Sequence, residues 1–240
     1  MVPLVLDLVR PESVIDVGCG TGEWLALFRE NGVEDVWGVD GDYVNRDLLK
    51  IPEERFVPAD LELPLKLKRE FDLVLSLEVA EHLSSGGART FVRSLARLGP
   101  LIIFSAAIPY QGGENHVNER WQGYWAELFS EQGYTVIDPL RRKVWNDGRV
   151  HSNYAQNTLV YVRRDRLGDF PLLAEEYEPG GPALLSVVHP GTYLHHEQEA
   201  TKLRNVLVRL AKATLPDSSY RMMRSAYRLT RARVRGMNKA

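Results

Sequence analysis

Two carboxylates and an imidazole, Glu78, Glu81 and His82, stand in the short run EVAEH, and the later stretch GGENHVNERW adds His116 and Glu119. Imidazoles can take up a proton near neutral pH, and carboxylates beside them tune that exchange. The same groups, with positions left open for substrate oxygens, can hold a divalent cation that acidifies a hydroxyl. Three readings therefore stand side by side. The residues share a metal, or His116 and then His82 act as metal-free general bases, or the cluster only packs and hydrogen-bonds. Glu119, just ahead of WQGYWAELF, is either a ligand or a helix cap.

A second chemical feature is VIDVGCGTGEW, which places Asp16, Gly18, Gly20 and Gly22 between an apolar run and a helical one. Glycines there let backbone approach a ligand, and the helix start offers free N–H groups. A dinucleotide fingerprint requires a further glycine at position 23. That position holds Glu23, whose charge would repel a pyrophosphate.

The elements that must position these groups are legible from periodicity. SVIDVG, EDVWGVD, ERFVPAD, FDLVLSLE, PLIIFSAA, YTVIDPL and NTLVYVRR read as strands. GEWLALFREN, DYVNRDLLK, GGARTFVRSLARL and WQGYWAELFSEQ read as helices between them. Near-continuous hydrophobicity in FDLVLSL and PLIIFSA predicts strands covered on both faces. The expected fold is α/β: a Rossmann-like, seven-stranded, mostly parallel sheet with helices on both faces and an accessory helical C-terminus. The last two strands, joined by the long loop RRKVWNDGRVHSNYAQ, should form an antiparallel pair. The predicted division is a core over 1–165 and a connector with a basic helical extension over 166–240.

These motifs, taken in order, resemble class I S-adenosylmethionine (SAM)-dependent methyltransferases over roughly residues 10–165. The resemblance implies that Asp16, Gly18, Cys19 and Gly20 form the first cofactor motif and that Asp40, with Gly41, accepts the ribose hydroxyls. It also implies Asp60 and Leu61 near the adenine, and Ser76 with the fourth-strand motif next to the methyl group. E-x-x-E-H followed by a distant histidine is similar to the metal site of small-RNA 2′-O-methyltransferases. That similarity implies Glu78, Glu81, His82 and His116 as ligands of a divalent ion, Mg2+, with His116, His82 and Glu81 as the catalytic groups. The expected cofactors are thus SAM and a divalent metal.

For the acceptor, aromatic faces beside polar side chains suit a sugar, and Tyr110, Glu119, Trp145, His151 and Tyr154 are the expected contacts. QGG…HVNERW with a later YAQN resembles bacterial saccharide O-methyltransferases, including those of methylmannose polysaccharides. A metal-independent small-molecule O-methyltransferase and an RNA 2′-O-methyltransferase are the alternatives, and a non-catalytic SAM-binding regulator is a third class.

Composition frames these readings. The 240 residues are 44% hydrophobic, and Cys19 alone leaves no disulfide framework, so a cytoplasmic protein is expected. No apolar run approaches a membrane span. The start, MVPLVLDLVRPES, reads as a short packed helix, not an export signal. From Thr201 to Ala240 eleven Lys or Arg face one acid, Asp217, a charge of +10 that leaves −12 on residues 1–200 of a chain whose net charge is −2. The basic tail favours RNA, but an RNA footprint also needs positive charge around the active face, and the catalytic region is acidic. Arg221, Arg224, Arg228, Arg231 and Arg235 would line one stripe of a helix that docks on the body, joins a second subunit as a homodimer, touches an anionic membrane, binds nucleic acid or stays solvated.

Overall fold

The computed structural model describes residues 1–179, 184–216 and 218–222. Its strands are β1 (Ser13–Val17), β2 (Asp35–Asp40), β3 (Phe56–Pro58), β4 (Leu73–Leu77), β5 (Leu101–Ser105), β6 (Tyr134–Ile137) and β7 (Leu159–Arg163). They form one seven-stranded sheet in the order β3-β2-β1-β4-β5-β7-β6. The first five in that order pair in parallel. β7 runs antiparallel to both β5 and β6, as the uninterrupted final pair predicts.

The helices are α1 (Val2–Val9), α2 (Glu23–Glu30), α3 (Ala88–Ala96), α4 (Gln122–Glu131), α5 (Arg141–Val144), α6 (Ser152–Asn157), α7 (Pro171–Glu175) and α8 (Pro190–Thr214). Every residue of β1, β4 and β5 is buried, which follows from helices covering both faces. Alternation sends Ile15 and Val17 toward Phe91, Leu95, Trp125 and Phe129 of α3 and α4. Val14 faces the other way, toward Val5, Leu25 and Phe28 of α1 and α2.

Two expectations change. DYVNRDLLK is not a helix but an irregular stretch with one 3-10 turn, Arg46–Leu48, where the Asn45 side chain accepts from the Asp47 N–H. Asn and Asp side chains compete for backbone groups and hold such a stretch in turns. The expected long loop between β6 and β7 contains α5 and α6. The connector after residue 165 belongs to a compact unit that runs from Met1 to Thr192; a second unit begins at Tyr193. Buried Arg141 ties that connector down, pairing with Asp138 at 2.8 Å and donating to the carbonyls of Leu184 at 2.9 Å and Leu185 at 2.8 Å. The arginine stripe from Arg224 onward lies outside the described residues.

The chain runs outward through β2 and β3 and returns to β4 on the other side of β1. That reversal puts a crevice at the carboxyl ends of β1 and β4, where open α/β sheets take ligands. The loops after β1, β2, β3, β4 and β5 all meet there.

Candidate active site

The loop after β1 is tied to the end of β2. The Val39 carbonyl accepts from the N–H groups of Gly18 at 2.7 Å and Cys19 at 3.2 Å. Gly18 has φ +87°, and a Cβ there would lie 2.3 Å from the Val79 side chain, so only glycine fits. The tie brings Asp40 to the loop. Its carboxylate accepts from the Gly20 N–H at 2.7 Å, the Gly41 N–H at 2.6 Å and the Tyr43 hydroxyl at 2.5 Å. The bond to Asp40 is the main reason the Tyr43 hydroxyl is pushed up to about 12.

A cleft of about 920 Å³ opens over this loop, lined by Gly18, Gly20, Asp40, Gly41, Asp60 and Leu61 among the expected cofactor residues, and also by Tyr43, Glu78, Val79, His82 and Asn115. A Cβ on Gly20 would meet nothing within 4 Å, so the cradle is open above it. Asp60 also accepts from the Glu62 N–H at 2.9 Å, which fixes the turn after β3. Three expected cofactor residues stand behind the wall. Ser76 is fully buried, and its hydroxyl has no partner among the described residues. The Cys19 thiol faces the Gly20 carbonyl at 3.4 Å, and burial with the charges of Asp16 and Asp40 pushes its pKa up, so it packs as a neutral group. Asp16 is buried too, and desolvation, then the Asp40 charge, raises it to about 8.

Glu81, His82 and His116 converge. One ligating atom from each lies within 4.8 Å of the other two. The two imidazoles meet edge to face, with ring centroids 4.9 Å apart. Glu81 is wholly buried, and neither carboxylate oxygen has a hydrogen-bond partner among the described residues. Desolvation, then the nearby Glu78 charge, raises it to about 8; the amides of Glu81 itself and Ala107 moderate the shift without reaching hydrogen-bond geometry. The tertiary structure holds the His116 loop here through backbone, since the Glu81 carbonyl accepts from Val117 at 2.8 Å and Asn118 at 3.0 Å.

Glu78, expected as a fourth ligand, does not join this trio. With φ +56° at the end of β4, its carboxylate turns to two amides, accepting from Gln111 at 2.9 Å and Asn157 at 3.1 Å. Gln156 completes the network, donating to Gln111 at 3.1 Å and to Asn157 at 2.9 Å. The three amides and Tyr43 are the site residues that sequence reasoning passed over. YAQN contained two of them, but nothing in its spacing points to Glu78.

Glu119 is not the cap of α4, whose N-cap residue is Trp121 with no side-chain bond. Its carboxylate instead accepts from the N–H groups of Tyr110 at 2.7 Å and Gly112 at 2.9 Å and faces His116 Nδ1 at 3.0 Å. Among the expected acceptor contacts, Tyr154 stands edge-on to Trp24 at 5.4 Å. Burial, then the charge of Glu78, raises its pKa. Tyr110 is exposed. His151 is exposed and caps α6 by accepting from the Asn153 N–H at 3.3 Å. Trp145 lines a different cavity, with Arg142, Glu176 and Val187. The side chain of Trp145 points there because α5 carries it away from the cofactor cleft.

Comparison with known proteins adds the family. A family model described as a methyltransferase domain matches residues 2–140. Among solved structures, the methyltransferase domain of bacterial CtHen1 is 25% identical, with a TM-score of 0.47, over 67% of this chain and 94% of that one. Magnesium protoporphyrin IX methyltransferase (ChlM) from Synechocystis PCC 6803, solved with bound SAM, is 20% identical, with a TM-score of 0.49, over 68% and 75%. DesVI of Streptomyces venezuelae is 16% identical, with a TM-score of 0.49, over 66% and 88%. The search of curated proteins returned no significant match. With the match spanning more than half of the sequence, the chain belongs to the methyltransferase domain family and is a SAM-dependent methyltransferase.

Proposed function

We propose that this enzyme methylates a hydroxyl of a sugar or oligosaccharide, and that Glu81, His82 and His116 hold a divalent cation beside the transfer position. The carrying observation is the buried, unpartnered carboxylate of Glu81 with two imidazoles converging on it. A buried polar group costs free energy unless something satisfies it, and a cation is the partner this donor set suits. Without Glu78 the set is one carboxylate and two imidazoles. That favours Mn2+ or another first-row ion over the Mg2+ expected from four ligands.

SAM when bound supplies an electrophilic methyl group on sulfur, and a cation in the trio would lower the pKa of the hydroxyl. The chain's own contribution is positioning. Asp40 accepts the ribose hydroxyls, the glycine loop lets the cofactor approach backbone, and the amide network holds Glu78 at the cleft wall. The paired Tyr154 and Trp24 offer an apolar face, and the uncharged acceptor suits a body carrying −12.

A second reading rests on the His116–Glu119 pair. A carboxylate at Nδ1 fixes the tautomer and leaves Nε2 as a base, an arrangement that deprotonates a hydroxyl without metal. Such an enzyme would serve a small-molecule acceptor. An RNA ribose is a further possible acceptor, disfavoured by the acidic body.

The deciding experiment measures bound metal by mass spectrometry. It then follows methyl transfer from labelled SAM to saccharides, phenols and RNA ends before and after chelation. Metal bound in stoichiometric amount and lost activity restored by Mn2+ support the first reading. Full activity in metal-free protein replaces it with the His116–Glu119 base.

A further inference from the structure

We infer that α8 is an interfacial helix that lies on a membrane surface and binds anionic phospholipid headgroups. At 3.6 residues per turn, Leu203, Val206, Leu207 and Leu210 fall on one stripe of the helix. All four are exposed, at 61%, 51%, 56% and 55%. Asn205, Val208 and Lys212 stand opposite, and Arg209 lies to one side on the same flank as Lys202. Lys202 and Arg204 flank the stripe on its two sides, so their aliphatic stems can lie along a bilayer while the charges reach phosphate. Lys202 pairs with Glu199, one turn back, at 2.7 Å, an exposed contact that headgroups can replace.

Charge complementarity selects the partner. Residues 201–240 carry +10 by sequence, and each cation near an anionic leaflet strengthens attachment. A second copy of the helix would bring the same charge against itself, and Pro216 ends the stripe before the several heptads that a coiled coil needs. RNA would take the cations but leave the leucine stripe in water. No helix among the described residues is long and apolar enough to cross a membrane, so the stripe suits lying in the interface. This inference is independent of the acceptor and of the metal.

The test uses the full chain in vesicle sedimentation. Vesicles of phosphatidylcholine alone are compared with vesicles of two parts phosphatidylcholine to one part phosphatidylglycerol. The chain should pellet with the anionic vesicles, stay in solution with the neutral ones, and be released by added salt. Leu203→Asp with Leu207→Asp should weaken partitioning by about tenfold or more. An unchanged SAM affinity in that variant shows that the methyltransferase core still folds. Arg209→Glu with Lys212→Glu, which leaves the apolar stripe intact, should weaken binding to anionic vesicles in the same direction. Equal sedimentation with both vesicle types, or none with either, overturns the inference. So does unchanged binding of the leucine variant, which would mean charge alone acts. Retention on homopolymeric RNA without vesicle binding would assign the helix to nucleic acid, and concentration-dependent dimerisation without vesicle binding would assign it to a second copy.

Discussion

Asn157 donates to Glu78 at 3.1 Å across 79 positions of sequence, joining the end of α6 to the end of β4 at the wall of the cleft. The bond takes the carboxylate that the sequence motif offers as a metal ligand and commits it to an amide network instead. Asn157→Ala removes one of its two amide partners. A hydrogen bond to a charged group is worth about 1.5–3 kcal/mol, so the variant should unfold earlier in urea by an amount within that range. SAM affinity, read by calorimetry, should fall by about tenfold as Glu78 loses its fixed orientation. An unchanged affinity would remove the network from cofactor positioning.

Asp40 already holds three donors, and two of them, the Gly20 and Gly41 amides, are backbone groups that stay when ligand arrives. Tyr43 is exposed and can swing away. Asp40→Ala should weaken SAM binding about tenfold or more while leaving a cooperative melt. Tyr43→Phe should bind SAM at least as tightly as the parent, because a ribose hydroxyl no longer displaces the phenol. Weaker binding by Tyr43→Phe would show that the phenol itself contacts the cofactor.

Burial of Asp16 makes stability depend on pH. Its pKa rises from an ordinary 3.8 to about 8 in the folded chain, so the folded state keeps a proton that the unfolded state gives up. Stability is therefore greatest below about pH 4 for this group and declines as pH climbs toward 8. Asp16→Asn should flatten the urea midpoint across that window and be the more stable protein at pH 8. Glu81 contributes a slope of the same sign, so the flattening should be partial. Parallel pH profiles for parent and variant would contradict a buried, protonated Asp16.

Glu81→Gln separates the two readings of the trio without an activity assay. Replacing a wholly buried, unpartnered carboxyl by an amide removes the cost of ionising it, so the metal-free variant should melt no lower than the parent at pH 8. Adding Mn2+ should raise the parent's melting temperature, because a ligand that binds only the folded state stabilises it. The variant should show no such rise. Equal shifts in both proteins would place the ion elsewhere.

Gly18→Ala tests the packing of the loop. The added methyl meets Val79 at 2.3 Å in a backbone conformation with φ +87°, and strain of this kind costs about 1–3 kcal/mol. The variant should lose stability on that scale and bind SAM more weakly. Val79→Ala in the same chain should recover part of the loss.

Much of this molecule is legible in one dimension because its causes are local. Strands buried on both faces must be apolar throughout, so FDLVLSL and PLIIFSA declare themselves. The glycine loop is equally readable, since Gly18 answers a backbone conformation that other residues avoid. Asp40 closes a strand that the pattern already marks, and Asp60 stands two residues past the end of another. Tertiary contacts decided the rest. Whether Glu78 faces a cation or two amides depends on Gln111 and Asn157, which arrive from the β5–α4 loop and from α6, and no spacing rule relates them. Glu119 passes over the helix it precedes, because the Tyr110 and Gly112 amides and His116 reach it first. Trp145 and Tyr154 share one interstrand segment, yet α5 turns the first toward a separate cavity and α6 sets the second beside Trp24. Side-chain chemistry is written residue by residue, whereas the direction a carboxylate or ring takes is set by whichever distant donor or surface the fold brings nearest.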